Sequence, residues 1–311
     1  MYYPILRGRQ NELLAIRELL ISSKLSKKII PVVEPVKLSA TLVNTMDEFA
    51  SEDHSFVLIR NPKVGSFNSD AKNPKNAKYK DHLVELLAKT PSSIKRGVYV
   101  DKSASKTIAS YKERGIQPED VVAICIHPDQ IKLYEDAFSD YKVKTMLPYA
   151  PAFRRIRGEK ILTENKFNKK ARNVEYSEPD DEFFSDDHLY FSDGYVGFSD
   201  YSIIGDEYSE SGFAPYAVAI HIVYFDHENV LRVHHFVSDD NDDISDPAGK
   251  FYQALTKLHE WNRNQKLDTI AMQQFERIFE EQSYPGLGVI KKLSIMHHLE
   301  LMSRFMDGEL L

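Results

Sequence analysis

The sequence predicts an α/β protein: a TIM-like (β/α)8 barrel with an added β-hairpin and a C-terminal helical extension. Three observations carry this. Short runs of branched and aromatic residues alternate with helical patterns over residues 1–158, as expected of a parallel sheet covered on both faces. Six such steps begin a doubly wound sheet or a barrel alike, and two further strand candidates bring the count to the eight of a barrel. At 311 residues the chain is long enough to bury a sizeable core.

The strands are expected at Tyr2–Leu6, Ile29–Val33, Phe56–Ile59, Gly97–Val100, Val121–Ile126 and Val143–Pro148. Pro31 is disfavoured inside a central strand, so the second strand should begin about there. EKILTE (159–164) supplies the seventh strand, and YVGFSDYSIIG (195–205) contains the eighth. Between the strands, NELLAIRELLISSKL (11–25) sets Leu13, Leu14, Ile16, Leu19 and Leu20 on one side of a helix. KYKDHLVELLAKT (78–90), SASKTIASYKERG (103–115) and QIKLYEDAFSD (130–140) read as further helices, with Gly115 a stop.

An acidic, aromatic insertion, residues 177–193, interrupts the last two barrel strands. AVAIHIVYFD and VLRVHHFVSD alternate in polarity around HEN and predict an antiparallel hairpin over 216–238. An acidic loop, SDDNDDISD, then leads to Asp246-Pro247, which opens a helix. The expected domains are a barrel over 1–265 and a helical extension over 266–311.

The net charge of -7 argues against a chain that coats nucleic acid. The single cysteine, Cys125, lies in the apolar run VVAICIH and reads as a buried thiol in a reducing compartment. MYYPILRGRQ has no signal-peptide pattern, and no apolar run reaches the roughly 18–20 residues of a membrane span. A cytoplasmic protein without membrane contact is expected.

Ligands of parallel α/β folds bind beyond the carboxyl ends of the strands. The residues at or just past those ends are Arg7, Glu34, Arg60, Asp101, His127, Tyr149, Asn165 and Asp200, each polar or ionisable after an apolar run. Arg7 and Arg60, with Lys37 and Lys102, could clamp a phosphate or carboxylate. Glu34, Asp101, His127 and Asp200 could bind a divalent metal, or a carboxylate and His127 could act as base and acid. The bland alternative is an internal salt-bridge network that neutralises a closed mouth.

Other clusters rank lower. KFNKKARN (166–173) is a basic loop that could help bind an anion but reads more simply as solvated. His234 and His235, adjacent on a strand, must face opposite sides. His297 and His298 on the last helix read as surface. Ser199 lacks the GxSxG elbow of a serine hydrolase.

The opening YYPILRGRQNELLAIREL with the following IIPVVEPVK resembles the start of the bacterial and phage-satellite Beta-protein family. RNVEY (172–176), HLYFSDGYVGFSDYSIIGDEYSESGFAPYAVAIHIVY (188–224) and HHFVSD (234–239) resemble later blocks. Members occur near mobile elements and phage-defence genes, sometimes beside nuclease-like or toxic partners. The resemblance therefore implies antiviral defence or a toxin–immunity pair; it carries over no catalytic residue. Two functions compete. One is an enzyme on an anionic, phosphate-bearing molecule or nucleotide, such as a metal-dependent phosphodiesterase or other hydrolase. The other is a non-catalytic partner or immunity protein that binds a nuclease-like or toxic protein encoded nearby.

Overall fold

Runs that are apolar at every position are stable only when covered on both faces, and in the computed structural model these runs form one eight-stranded parallel sheet. It comprises β1 (Ile5–Leu6), β2 (Val32–Val33), β3 (Phe56–Ile59), β4 (Ile94–Tyr99), β5 (Val121–Ile124), β6 (Lys144–Leu147), β7 (Lys160–Thr163) and β9 (Gly197–Ser199), in that spatial order. The intervening β8 (Asp181–Ser185) belongs to a second sheet. The second strand begins at Val32, directly after Pro31. Residues 1–88, 93–190, 194–210 and 215–309 are described. The expected helix end at Lys89-Thr90 and the insertion's last residues, 191–193, lie outside them.

First and last strands close the barrel. Tyr3 N–H donates to Phe198 O at 2.8 Å, Ile5 N–H to Asp200 O at 2.8 Å, and Phe198 N–H to Met1 O at 3.1 Å. Gly197 stands at this seam. A Cβ there would meet Met1 O at 2.5 Å and the Tyr3 ring at 2.8 Å, so the strands can approach only without a side chain.

Register separates the two faces, because in-register parallel partners point the same way. Ile5, Val32, Val57 and Lys95 share one face, as do Ile59, Gly97 and Val122, and Tyr99, Ile124, Met146, Ile161 and Gly197. The opposite face, with Val98, Val121, Ala123 and Val143, packs against Ile108, Tyr134 and Phe138 of the helices. The first set therefore faces the barrel interior. Cys125 is on the outer face, fully buried, and burial pushes its thiol up to about 12.

Helix α1 (Gln10–Ile21) follows β1, α2 (Ala40–Ser51) follows β2, and the short α3 (Phe67–Asp70) and α4 (Ala77–Ala88) follow β3. Next come α5 (Ala104–Glu113) and α6 (Ile131–Phe138). Gly115, at φ +68°, lies two residues beyond α5, as its sequence position predicts. After β6 there is only a 3-10 turn, Pro151–Arg155.

The chain divides into two compact units. The first is Met1–Leu13, Lys27–Asn165 and Asp187–Tyr201; the second is Leu14–Ser26, Lys166–Asp186 and Ser202–Leu311. Hence the hairpin groups with the C-terminal helices, and so does most of the acidic insertion. Its middle is a strand: β8 pairs antiparallel with β11 (Leu231–Val237), which pairs with β10 (Ala219–Phe225). The short α7 (Asp187–Tyr190) leads back to the barrel.

In the second unit, α8 (Pro247–Gln265) is capped by Asp246, whose Oδ1 accepts from Gly249 N–H at 2.8 Å. Helices α9 (Ile270–Glu280) and α10 (Leu287–Asp307) follow. Helix α10 is buried on nearly every side, and this corrects the surface reading of His297 and His298, both 0% exposed. His297 Nε2 bonds Val223 O at 2.7 Å and its Nδ1 bonds Thr269 Oγ1 at 2.8 Å; Ser202 Oγ bonds His298 Nδ1 at 2.8 Å. Among the described residues no helix is long and apolar enough to cross a membrane.

Candidate functional site

Interior parity carries Arg7, Glu34, Asn61, Tyr99 and Asp101 to one end of the barrel. Arg7 and Glu34 form a buried ion pair, with Glu34 only 1% exposed. Glu34 also accepts from Lys63 N–H at 2.7 Å and from Tyr99 Oη at 2.9 Å. The Arg7 guanidinium lies 5.4 Å from the Tyr201 ring centre, and Lys63 Nζ lies 4.5 Å from that of Tyr99. Burial opposes the charge on Arg7, but Glu34, Tyr99 and Tyr201 outweigh it and hold its pKa above the usual value. Burial, then the Glu34 charge, pushes the Tyr99 phenol far above its ordinary range.

Asp101 adjoins this cluster and is occupied. Its Oδ1 accepts from Ser103 N–H at 2.8 Å and Ser103 Oγ at 2.6 Å, ahead of α5; its Oδ2 accepts from Asn61 Nδ2 at 3.0 Å. Burial works against its ionised form, but the Ser103 and Asn61 bonds hold its pKa below the usual carboxylate range. Asn61 also donates to Tyr99 O and accepts from Tyr99 N–H, both at 2.9 Å, stitching the ends of β3 and β4.

The other predicted residues do not join this cluster as the strand-end reading expected. Arg60, one past Ile59, takes outer parity. Burial lowers its pKa, Tyr111 opposes, and Arg96 and Arg114 lower it further, which places it among other cations beside the helices. Asp200 shares the parity of Phe198 and accepts from Tyr2 Oη at 2.7 Å. His127 follows the parity of Cys125 and is exposed at the start of a 3-10 turn, where its N–H donates to Gln130 Oε1 at 2.9 Å. Lys37, Lys102, Asn165 and Tyr149 are exposed. Among the described residues no three His, Cys, Asp or Glu side chains form a metal-ligating group, so Glu34, Asp101, His127 and Asp200 are not gathered as a metal site. Asn61, Lys63, Tyr99 and Tyr201 were not singled out in the sequence; the turn Asn61-Pro62-Lys63 after β3 was the available signal.

A second candidate lies wholly within the second unit, where a cavity of about 350 Å3 is bordered by Lys169, Lys170, Asn173, Tyr176, His221, Lys291 and Ser294 together with apolar residues. The basic loop at 166–173 thus lines a cavity. No carboxylate does so among the described residues. Carboxylates stand behind: Glu207 lies 3.3 Å from Lys169 Nζ, and Glu182 lies 3.8 Å from Lys170 Nζ. The first turns of α10 contribute Leu287, Ile290 and Lys291, and its N-cap is Gly286, which has no side chain to occupy the helix end.

One wall is a pair of imidazoles. His221 and His235 are cross-strand partners, with their Nδ1 atoms 2.8 Å apart. His235 Nε2 lies 3.1 Å from Glu182 Oε1. Tyr176 packs on both rings at 4.6 and 4.7 Å, and Phe167 on His221 at 5.1 Å. Burial lowers the pKa of both imidazoles; the neighbouring His235 and then Lys291 add to this at His221, while Glu182 opposes it at His235. His234 faces the other way, as strand parity requires, onto Asp181 at 3.3 Å and the Trp261 ring at 5.1 Å.

No family model, curated protein or solved structure matches the chain. The fold is that of a (β/α)8 barrel protein with a second unit built on a three-stranded antiparallel sheet.

Proposed function

We propose that the chain binds a small phosphate-bearing anion in the cavity of the second unit, with the barrel mouth serving as a self-neutralised structural end. The observation that carries this reading is the cavity's polar lining: three lysines, a histidine, a tyrosine, an asparagine and a serine, with no lining carboxylate among the described residues. Clustered ammonium groups in a partly enclosed site favour oxyanions, because each charge-assisted bond is stronger than a neutral one. A volume of about 350 Å3 suits a phosphate with a modest organic body. At the mouth, by contrast, Arg7 is already matched by Glu34. That pairing supports a second reading for the barrel itself, a non-catalytic scaffold that engages a partner protein. The role in phage defence or toxin immunity rests on the sequence resemblance.

Calorimetric titration with inorganic phosphate and with a nucleoside monophosphate tests this. Lys170→Ala and Lys291→Ala should each weaken binding by about tenfold, the size of one charged hydrogen bond. Lys37→Ala, at an exposed site past β2, should leave affinity unchanged. Equal affinity in all three variants would remove the cavity as the site.

A further inference from the structure

We infer that Glu182, His235 and His221 form a chain that fixes His221 Nε2 as a bare hydrogen-bond acceptor, so that the cavity selects oxyanions that carry a proton, phosphate over sulfate. This rests on the anion-binding reading above and names the ligand class within it.

The assignment follows from what each atom can do. A carboxylate only accepts, so at 3.1 Å Glu182 Oε1 requires the proton on His235 Nε2. The carboxylate's other oxygen is engaged as well: Asn168 Nδ2 donates to Glu182 Oε2 at 3.1 Å, and Lys170 Nζ lies 3.8 Å from it. A neutral His235 protonated at Nε2 has a lone pair at Nδ1. Across 2.8 Å, His221 must therefore donate from Nδ1, which leaves its Nε2 without a proton. His221 lines the cavity, and with Nδ1 engaged by the neighbouring strand, Nε2 is the ring atom left for a ligand.

The surroundings keep the pair neutral. Tyr176 and Phe167 cover the rings, and Lys291 and Lys170 supply positive charge from two other elements. A second proton on the pair would place an imidazolium among these ammonium groups. The lysines draw in a tetrahedral anion of either kind, but the lone pair at Nε2 requires a donor from it. Hydrogen phosphate and sulfate are both dianions of the same shape at neutral pH. Hydrogen phosphate keeps one O–H, and sulfate has none. With sulfate, oxygen would face nitrogen lone pair to lone pair.

Isothermal titration at pH 7.5 and matched ionic strength, with hydrogen phosphate and sulfate as probes, reads this directly. The wild-type chain is expected to prefer hydrogen phosphate by about tenfold or more, the worth of one well-placed hydrogen bond against an unmatched acceptor. His221→Phe, which keeps a ring against Tyr176, should bind both anions weakly and nearly equally. Long-range 1H–15N spectra of the wild-type imidazoles give a readout independent of any variant's folding: His221 should show protonated Nδ1 and bare Nε2, and His235 the reverse. Equal wild-type affinity for the two anions, or a proton on His221 Nε2, overturns the inference while leaving anion binding intact. Binding of neither anion removes both.

Discussion

Glu34→Ala is expected to lower the unfolding free energy by about 3–5 kcal/mol, the cost of stranding one member of a buried ion pair. The Arg7 guanidinium would stay buried without its counter-charge. Tyr99 Oη and Lys63 N–H would each lose an acceptor. Replacing the pair by apolar groups of similar volume, Arg7→Met with Glu34→Leu, should recover most of the loss, since neither charge is then left in the interior. Urea unfolding of the two variants at pH 7 measures both effects. A carboxylate held ready for catalysis would behave differently, because its removal tends to leave stability unchanged or raised. A neutral or stabilising Glu34→Ala would return Glu34 to the list of catalytic candidates.

Lys250→Met should cost about 3 kcal/mol, from two charge-assisted hydrogen bonds of roughly 1.5–3 kcal/mol each, partly offset by the apolar replacement. The ammonium is 1% exposed on α8, and it donates to Tyr216 O at 2.9 Å and to Asp243 O at 2.5 Å. It also lies 3.5 Å from the Asp243 carboxylate and 3.9 Å from that of Asp240. The acidic loop SDDNDDISD thus folds around a lysine where its composition alone would suggest a metal ion. Asp243 is largely exposed, so Asp243→Asn should change stability by less than about 1 kcal/mol. Thermal unfolding of the two variants separates the carbonyl bonds from the screened carboxylates. Equal losses in both would mean that the loop's charge, and not its backbone, holds Lys250.

Strand number and order were legible in the sequence because eight apolar runs, each ending in a polar residue, leave little else to build. Which residue past each run faces the interior was not. A sheet buried on both faces is apolar at successive positions, so the alternation that would mark its inner side is missing. Choosing the first polar residue after each run therefore mixed the faces. Arg7, Glu34 and Asp101 fell inward, while Arg60, His127 and Asp200 fell outward. Tyr99 and Tyr201 lay inward too, but inside aromatic stretches they read as core.

The second site was hidden for a different reason. Lys170, Glu182, His221 and Lys291 lie far apart in the chain, and only the pairing of β8 with β11 and of β11 with β10 brings Glu182 beside the imidazoles. The acidic composition of the β8 segment concealed a strand. The hairpin itself was recognisable, and so was the opposite facing of His234 and His235, because both follow from period-two geometry alone. The buried His297-His298 pair could have been found from α10, whose apolar residues go nearly all the way round the helix and leave no polar face for two imidazoles.

The central claim is that the ligand binds in the second unit and that the mouth pair Arg7–Glu34 is structural. Its most direct test is a calorimetric titration of the Arg7→Met, Glu34→Leu double variant with inorganic phosphate. The account predicts the affinity of the wild-type chain, because no cavity residue has changed. Loss of binding in a double variant that still unfolds cooperatively would place the anion at the barrel mouth and contradict it.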